Sequence, residues 1–126
     1  MIFGIGTDVV EVSRIHASIE KFGDTFARRI LSDSEFESYL QSSTQSRFLA
    51  KRFAAKEAFA KALGTGIGRG VSFQHFSVSN NADGAPQLAL SDYAAELAAK
   101  LGVNHIWLSI TDEQAYAAAT VILERQ

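Results

Sequence analysis

The chain has no cysteine, which excludes disulfide bonds, thiolate catalysis and zinc sites built on cysteine. No segment reaches the length of a membrane-spanning helix, and the N-terminus lacks the basic start and long apolar run of a secretory signal. The formal net charge of −2 gives no overall attraction to nucleic acid or to an anionic membrane. We therefore expect a cytoplasmic protein without nucleic-acid or membrane partners, which recognises charged molecules only locally.

The side chains that commonly supply a nucleophile or a metal ligand also lack the expected company. His16, His75 and His105 show no metal-ligand spacing. Ser13, Ser72 and Ser109 have no evident histidine and aspartate partners for a catalytic triad. Nucleophilic catalysis by the chain's own side chains is therefore disfavoured.

At 126 residues the chain is predicted to form one domain, residues 1–126, that buries about two thirds of its unfolded surface. Hydrophobic periodicity makes the first half mainly helical. Its predicted elements are a strand over residues 2–9, a helix from about 11 to 22 that Gly23 ends, a helix with the capping box Ser32-Asp33-Ser34-Glu35, and a long helix from about 47 to 63 that Gly64 ends.

The second half is predicted to be richer in strands. Its elements are a hairpin with strands over 71–79 and 87–90, an alanine-rich helix capped by Ser91, and strands over 105–111 and 116–123. The sum is an α+β fold in which an antiparallel sheet packs with one long helix and several short helices.

The long helix carries an acid and a base at covered positions. At about 100° per residue, Glu57 and Lys61 share a side of the helix that apolar residues flank, and no broad solvent-facing stripe remains. Covered charges need partners such as each other, a metal or a phosphate. The alternative is a surface ion pair between Glu57 and Lys61 that contributes roughly 0.2–0.5 kcal/mol.

Asp8 lies where the first strand meets a helix. Together with Glu57 it could supply oxygen ligands to Mg²⁺, which takes few carboxylates and completes its shell with water and phosphate. The alternative is that Asp8 is the N-cap of the first helix. Local sequence does not decide between the two.

Further cations and glycines surround the long helix. Arg52 could hold a phosphate, although a buried stem with an exposed head explains its position without a ligand. Lys51 and Lys56 are expected to be solvated. The glycine run 64–70 follows a helix instead of opening one, so it matches no phosphate-loop motif and the helix dipole would oppose an anion there. It is either a helix stop or a backbone nest.

Positive charge is concentrated on or just after the first helix, at Arg14, Lys21, Arg28 and Arg29. A solvated helix face is the ordinary interpretation. The alternative is an electrostatic docking surface for an acidic protein, since complementary patches raise association rates and select partners.

Two motifs at the expected separation carry a resemblance to a known family. They are Gly4-Ile5-Gly6-Thr7-Asp8-Val9-Val10-Glu11 and Arg52-Phe53-Ala54-Ala55-Lys56-Glu57-Ala58, followed by Lys61 and Gly64-Thr65-Gly66. Both closely resemble the holo-[acyl-carrier-protein] synthases, which are small phosphopantetheinyl transferases. The resemblance extends over nearly the whole chain, including the turn at 83–86.

The resemblance implies the 4′-phosphopantetheinyl transferase fold and a homotrimer with each active site between neighbouring subunits. The implied reaction belongs to fatty acid biosynthesis. It transfers 4′-phosphopantetheine from coenzyme A to a serine of apo-acyl carrier protein and releases adenosine 3′,5′-bisphosphate. The nucleophile then belongs to the carrier, which agrees with the missing triad.

Residue by residue, the resemblance makes Asp8 and Glu57 the ligands of Mg²⁺, with Mn²⁺ as an alternative. Lys61 completes the catalytic set by stabilising charge or protonating the leaving phosphate, and Glu57 is a candidate acceptor of the serine proton. The residues implied to contact coenzyme A are Arg52, Lys61, Gly64, Gly66, Ile67, Pro86, Ser109 and Thr111. The residues implied to dock the carrier's acidic helix are Arg14, Lys21 and Arg28. Asp112 stands where many relatives have histidine.

Two other functions stay open at this point. A non-catalytic module could bind the carrier protein through the basic first helix while its metal site is structural or empty. A Mg²⁺-dependent phosphohydrolase could instead release phosphate or nucleotide from coenzyme A without any carrier.

Overall fold

The computed structural model describes residues 1–126 and contains five strands, five α-helices and one 3₁₀ helix. In chain order these are β1 (Ile2–Glu11), α1 (Val12–Phe22), α2 (Asp24–Ile30), α3 (Asp33–Gln41), α4 (Gln45–Leu63), the 3₁₀ helix (Phe73–His75), β2 (Phe76–Asn80), β3 (Pro86–Leu90), α5 (Asp92–Lys100), β4 (His105–Asp112) and β5 (Tyr116–Glu124). Antiparallel strands form a three-stranded sheet in the order β1-β5-β4, and β2 pairs with β3 in a separate hairpin. The predicted α+β class is confirmed. No helix has the length and apolar character needed to cross a bilayer.

Helix α4 lies at the centre of the fold because both sides of it are apolar. Its small residues Ala54, Ala55 and Ala58 are fully buried and join a core cluster that includes β5, the β2–β3 hairpin and α5. Its N-terminal half contributes Leu49 and Ala50 to a second cluster, formed with α1, α2 and α3. Side chains on α4 are therefore held rigidly from several directions.

Two glycines let strand β1 pack against α4 backbone to backbone. A Cβ atom added at Gly6 would lie 1.9 Å from the carbonyl oxygen of Ala58, and one added at Gly4 would lie 2.2 Å from that of Ala62. No other residue type fits at this distance. Because side chains alternate along a strand, Asp8 follows on the same side and faces α4.

The predicted helix ends agree with the structure. Gly23 and Gly64 have positive φ angles of 63° and 90° where α1 and α4 end. The capping box at the start of α3 is present, with the Ser32 hydroxyl accepting from the backbone of Glu35 and the Glu35 carboxylate accepting from the backbone of Ser32.

Two details differ from the sequence predictions. Residues 71–75 do not extend β2 but form a turn and the 3₁₀ helix, because the Ser72 hydroxyl accepts from the backbone N–H of Gln74 and offers the chain a local alternative to strand pairing. Asp8 does not cap α1, because β1 continues to Glu11 and α1 begins at Val12.

Candidate functional site

An acid on β1 meets a base on α4. The ammonium group of Lys61 donates to Oδ1 of Asp8 at 2.9 Å and to the carbonyl oxygen of Thr7 at 3.1 Å. The Asp8 side chain is only 15% exposed, whereas Lys61 is half exposed. No ion pair joins Lys61 to Glu57, so the surface-pair alternative does not describe this helix. Lys61 is instead bound to the strand that the glycines bring close.

Glu57 lies beside this pair without an ion-pair partner of its own. It is half-buried, and burial raises the pKa of its carboxyl above the ordinary value. The neighbouring Asp8 carboxylate raises that pKa further, while Lys61 opposes the effect. Two neighbouring carboxylates of this kind can together attract a divalent cation.

The donor set fits magnesium more closely than a transition metal. No group of three or more histidine, aspartate or glutamate side chains converges anywhere in the protein. Two oxygen donors at a half-open position suit Mg²⁺, which is commonly held by one or two carboxylates and completed by water and substrate phosphate. The residues Asp8 and Glu57 are therefore compatible with the metal that the sequence resemblance implies.

Arg52 lies one turn and a half before Glu57 on α4, at the edge of a separate small cavity. Its side chain is 12% exposed, and its guanidinium lies 4.3 Å from the centre of the Phe48 ring. The cavity has a volume of about 160 Å³ and is lined by Lys51, Arg52, Asn80, Gly84, Pro86, Ile110 and Asp112. Arg52 Nε is buried and has no hydrogen-bond partner. The predicted coenzyme A residues Arg52 and Pro86 thus share one cavity.

The expectation that Lys56 is solvated was wrong. Lys56 is fully buried and donates to Oε1 of Glu35 at 2.6 Å, to the carbonyl oxygen of Ile30 at 2.6 Å and to that of Phe73 at 3.2 Å. Periodicity along α4 does not reveal a carboxylate supplied by another helix. The available signal was the position of Lys56 among alanines. Their small side chains let neighbouring segments pack closely against the helix and cover a long side chain.

The glycine loop after α4 is a helix stop in this structure. The backbone N–H groups of Gly64, Thr65 and Gly66 donate to carbonyl oxygens of Ala60 and Lys61 and so close the last turn of α4. Ile67 packs against the main core cluster. None of the predicted contact residues Gly64, Gly66 and Ile67 lines the Arg52 cavity.

Ser109 and Thr111 lie on the other face of the sheet. Both are exposed, whereas the intervening Ile110 packs against the core beside α4. One chain therefore does not bring them together with Asp8 or Arg52. Asp112 does reach the Arg52 cavity, where it forms an ion pair with Arg47 at 3.2 Å.

The predicted docking cations are all exposed. The guanidinium of Arg28 lies 4.0 Å from the centre of the Phe36 ring, and the ammonium of Lys21 lies 5.3 Å from that of Phe22. Arg14 has no ion-pair partner. This corner of α1 and α2 is a basic surface with exposed aromatic carbon, because Phe22 is 56% exposed.

Comparison with known proteins gives these features a family context. The sequence model of the 4′-phosphopantetheinyl transferase superfamily matches residues 4–121. The holo-[acyl-carrier-protein] synthase of Vibrio cholerae is 56% identical over 126 residues, covering all of both chains. That of Shewanella halifaxensis is 58% identical, covering 98% of this chain and 99% of the relative.

Solved structures give the same result. The crystal structure of holo-[acyl-carrier-protein] synthase from Neisseria meningitidis has a TM-score of 0.94 and 42% identity, with 98% of this chain and 99% of that chain covered. The enzyme from Bacillus anthracis, in complex with CoA (3′,5′-ADP), has a TM-score of 0.82 and 40% identity, with 100% and 99% covered. At these identities and coverages, the chain belongs to the holo-[acyl-carrier-protein] synthases of the 4′-phosphopantetheinyl transferase superfamily.

Proposed function

We propose that this protein transfers 4′-phosphopantetheine from coenzyme A to a serine of apo-acyl carrier protein. The carrier's serine oxygen forms the new P–O bond, the phosphoanhydride P–O bond of coenzyme A breaks, and adenosine 3′,5′-bisphosphate leaves. The observation that carries this proposal is the convergence of Asp8, Lys61 and Glu57 across β1 and α4. Family membership supports the same reaction.

Asp8 and Glu57 would hold Mg²⁺, with Mn²⁺ as an alternative, and the bound metal would neutralise charge on the pyrophosphate. Lys61 lies at hydrogen-bond distance from the Asp8 carboxylate, so its ammonium can stabilise charge on the leaving phosphate or protonate that phosphate. Glu57 is the candidate acceptor of the serine proton, because burial raises its pKa toward working pH.

Coenzyme A would extend from this centre toward Arg52 and Pro86. The cavity beside Arg52, at about 160 Å³, is smaller than the roughly 300–1,000 Å³ typical of ligand sites. A second copy of the chain can supply the missing walls. Ser109 and Thr111 lie on the exposed sheet face, where they are available to such a neighbour.

We therefore propose a homotrimer with active sites between subunits. The exposed sheet face carries Ile5, Val9, Trp107 and Tyr116, which are 46–66% exposed in a single chain. Contiguous apolar side chains of this kind mark an interaction surface. On this face, Ser109 and Thr111 are proposed to contact coenzyme A. The glycine loop after α4, with Gly64, Gly66 and Ile67, is proposed as a further contact.

The carrier protein would dock on the basic corner formed by Arg14, Lys21 and Arg28. Opposite charges across an interface raise the association rate and fix the orientation of the partner. The serine would then be presented to Glu57 in the cleft. We propose that the reaction takes place in the cytoplasm and provides holo carrier protein for fatty acid biosynthesis.

The test is the intact mass of purified apo-acyl carrier protein after incubation with the protein, coenzyme A and MgCl₂. We expect the carrier mass to rise by one phosphopantetheine group and the rise to require all three additions. Unchanged carrier with adenosine bisphosphate released in its absence would identify a phosphohydrolase. Carrier binding without any mass change, under conditions in which Mg²⁺ and coenzyme A are bound, would identify a binding module.

A further inference from the structure

A single buried carboxylate, that of Glu35, joins the start of α3 to α4 and β2, two of the elements that line the Arg52 cavity. Oε1 of Glu35 accepts from the backbone N–H of Ser32 at 2.8 Å and from the ammonium of Lys56 at 2.6 Å. Oε2 accepts from the backbone N–H of Val78 at 2.8 Å and lies 3.9 Å from Nε of Arg52. The Glu35 side chain is 1% exposed, and these four groups are its polar partners.

The two oxygens contact different parts of the protein. Oε1 is occupied by the backbone of Ser32 at the start of α3 and by Lys56, neither of which lines the cavity. Oε2 connects the hairpin to α4, because Val78 is in β2 and Arg52 is in α4. Asn80 and Pro86 pair with each other in that hairpin and line the cavity with Arg52. Glu35 thus contacts both walls, through a hydrogen bond on the side of the hairpin and an ion-pair contact on the side of Arg52.

The charges of this cluster leave Arg52 incompletely neutralised. One carboxylate faces two cations, and its shorter contact is with Lys56. The Nε of Arg52 has no hydrogen-bond partner although it is buried. An excess buried positive charge is costly unless an anion compensates it. Asp112 also lines the cavity, but it is paired with Arg47 at 3.2 Å. Arg52 and Lys51 therefore leave the cavity suited to an anionic group such as a phosphate.

We propose that Glu35 is a positioning residue for coenzyme A. It orients Arg52 from behind and holds the hairpin with Pro86 at the width that a nucleotide phosphate needs, without touching the ligand itself. This inference rests on the proposed function, in which Arg52 holds a phosphate of coenzyme A. Glu35 acts on affinity for the nucleotide and has no part in the transfer step.

The test is a double-mutant cycle between Glu35→Gln and Arg52→Gln, with the Kd for adenosine 3′,5′-bisphosphate and the KM for coenzyme A as readouts. We expect Glu35→Gln to raise both about tenfold, which corresponds to about 1.4 kcal/mol. The value of kcat at saturating coenzyme A and the KM for the carrier should change less than about twofold. In the Arg52→Gln background, Glu35→Gln should have little further effect, because the two residues act as one unit.

Two further variants separate positioning from stability. Glu35→Gln leaves Lys56 buried without a counterion, so Glu35→Gln/Lys56→Met should recover thermal stability while nucleotide affinity stays low. Glu37→Gln, at an exposed position on the same helix, is the matched control and should change neither quantity. The proposal is overturned if affinity returns together with stability, if the two substitutions are additive, or if Glu35→Gln leaves the KM for coenzyme A unchanged.

Failure of the proposed function would look different. In that case the unsubstituted protein would transfer nothing to the carrier under the conditions of the mass assay. A protein that transfers normally but shows no dependence of nucleotide affinity on Glu35 contradicts only the positioning role.

Discussion

The ammonium nitrogen of Lys61 on α4 lies 2.9 Å from Oδ1 of Asp8 on β1, across 53 positions of the sequence. The Asp8 carboxylate is thus attracted by Lys61 and repelled by the neighbouring Glu57 carboxylate. Lys61 neutralises Asp8 in the free protein, and it lies where the proposed reaction develops negative charge on phosphate.

Lys61→Met is expected to lower kcat about 10²–10³-fold, the usual effect of removing one preorganised group that stabilises charge in a transition state. The measurement is the rate of carrier modification at saturating coenzyme A. Lys100→Met on α5 removes an exposed lysine and should change the rate less than about twofold. An unchanged kcat for Lys61→Met would remove this residue from the chemistry.

Glu57→Gln is expected to stabilise the metal-free protein at about pH 8. Burial raises the pKa of Glu57, so the folded state holds this proton more tightly than the unfolded chain, and the charged form lowers stability above the raised value. Near pH 4, below the ordinary value of 4.5, both states are largely protonated and the gain should vanish. Thermal unfolding at the two pH values, with Glu37→Gln as control, measures the difference.

Added magnesium should make the unsubstituted protein more stable than Glu57→Gln. Added MgCl₂ is expected to raise the Tm of the unsubstituted protein, since a ligand that binds only the folded state stabilises it. The rise should be lost in Glu57→Gln and kept in Glu37→Gln. An equal rise in all three proteins would show that the metal binds elsewhere.

Ile5→Glu is expected to convert the proposed trimer into a monomer and to abolish transfer. Ile5 is 66% exposed in one chain, and a charge there cannot be buried against a neighbour without a large desolvation cost. Sedimentation equilibrium gives the mass of the particle. Leu40→Glu alters an apolar residue of similar exposure on α3 and should leave the assembly intact. A monomeric unsubstituted protein with full activity would contradict the prediction.

Asp112→Asn is expected to tighten binding of adenosine 3′,5′-bisphosphate severalfold. Asp112 is a negative charge in the cavity lined by Lys51 and Arg52, and its removal also frees Arg47. Isothermal titration calorimetry at low salt measures the change. Glu113→Gln makes the same change of charge one residue further along and serves as the control. Weaker binding by Asp112→Asn would mean that the carboxylate is needed to organise Arg47.

Arg14→Glu is expected to raise the KM for the carrier about tenfold at low ionic strength while the KM for coenzyme A stays constant. Arg14 is exposed and unpaired, so its reversal mainly changes the field that an acidic partner meets. The effect should shrink as salt screens the surface. Lys100→Glu is the control for reversal at a different site, and an equal increase there would exclude a local docking surface.

Local rules predicted those elements whose signals are local. Gly23 and Gly64 end helices because a positive φ is accessible to glycine, and Ser32 with Glu35 forms a capping box within one turn. The strand predicted for 71–75 was wrong because a serine hydroxyl competed for the backbone. A strand pattern is a less secure prediction where a nearby side chain can hydrogen-bond the backbone and replace strand pairing.

The site required information from distant segments. Asp8 was equally compatible with a helix cap until the structure extended β1 to Glu11, and family resemblance, not periodicity, paired it with Glu57. Lys56 was misjudged because its partner Glu35 comes from another helix, 21 positions away. Periodicity identifies which face of α4 is covered, but it does not predict the charge of the segment that covers that face.

The missing side chains of Gly4 and Gly6 determine the width of the proposed metal centre. Since the strand carrying Asp8 is seated on the carbonyl groups of α4, direct backbone contact sets how closely the Asp8 backbone approaches the helix that carries Glu57 and Lys61. A side chain at Gly4 or Gly6 would push β1 off α4 and carry Asp8 away from Glu57 and Lys61. Among the residues near this centre, Gly4 and Gly6 should therefore tolerate substitution least, although they contribute no side chain to it.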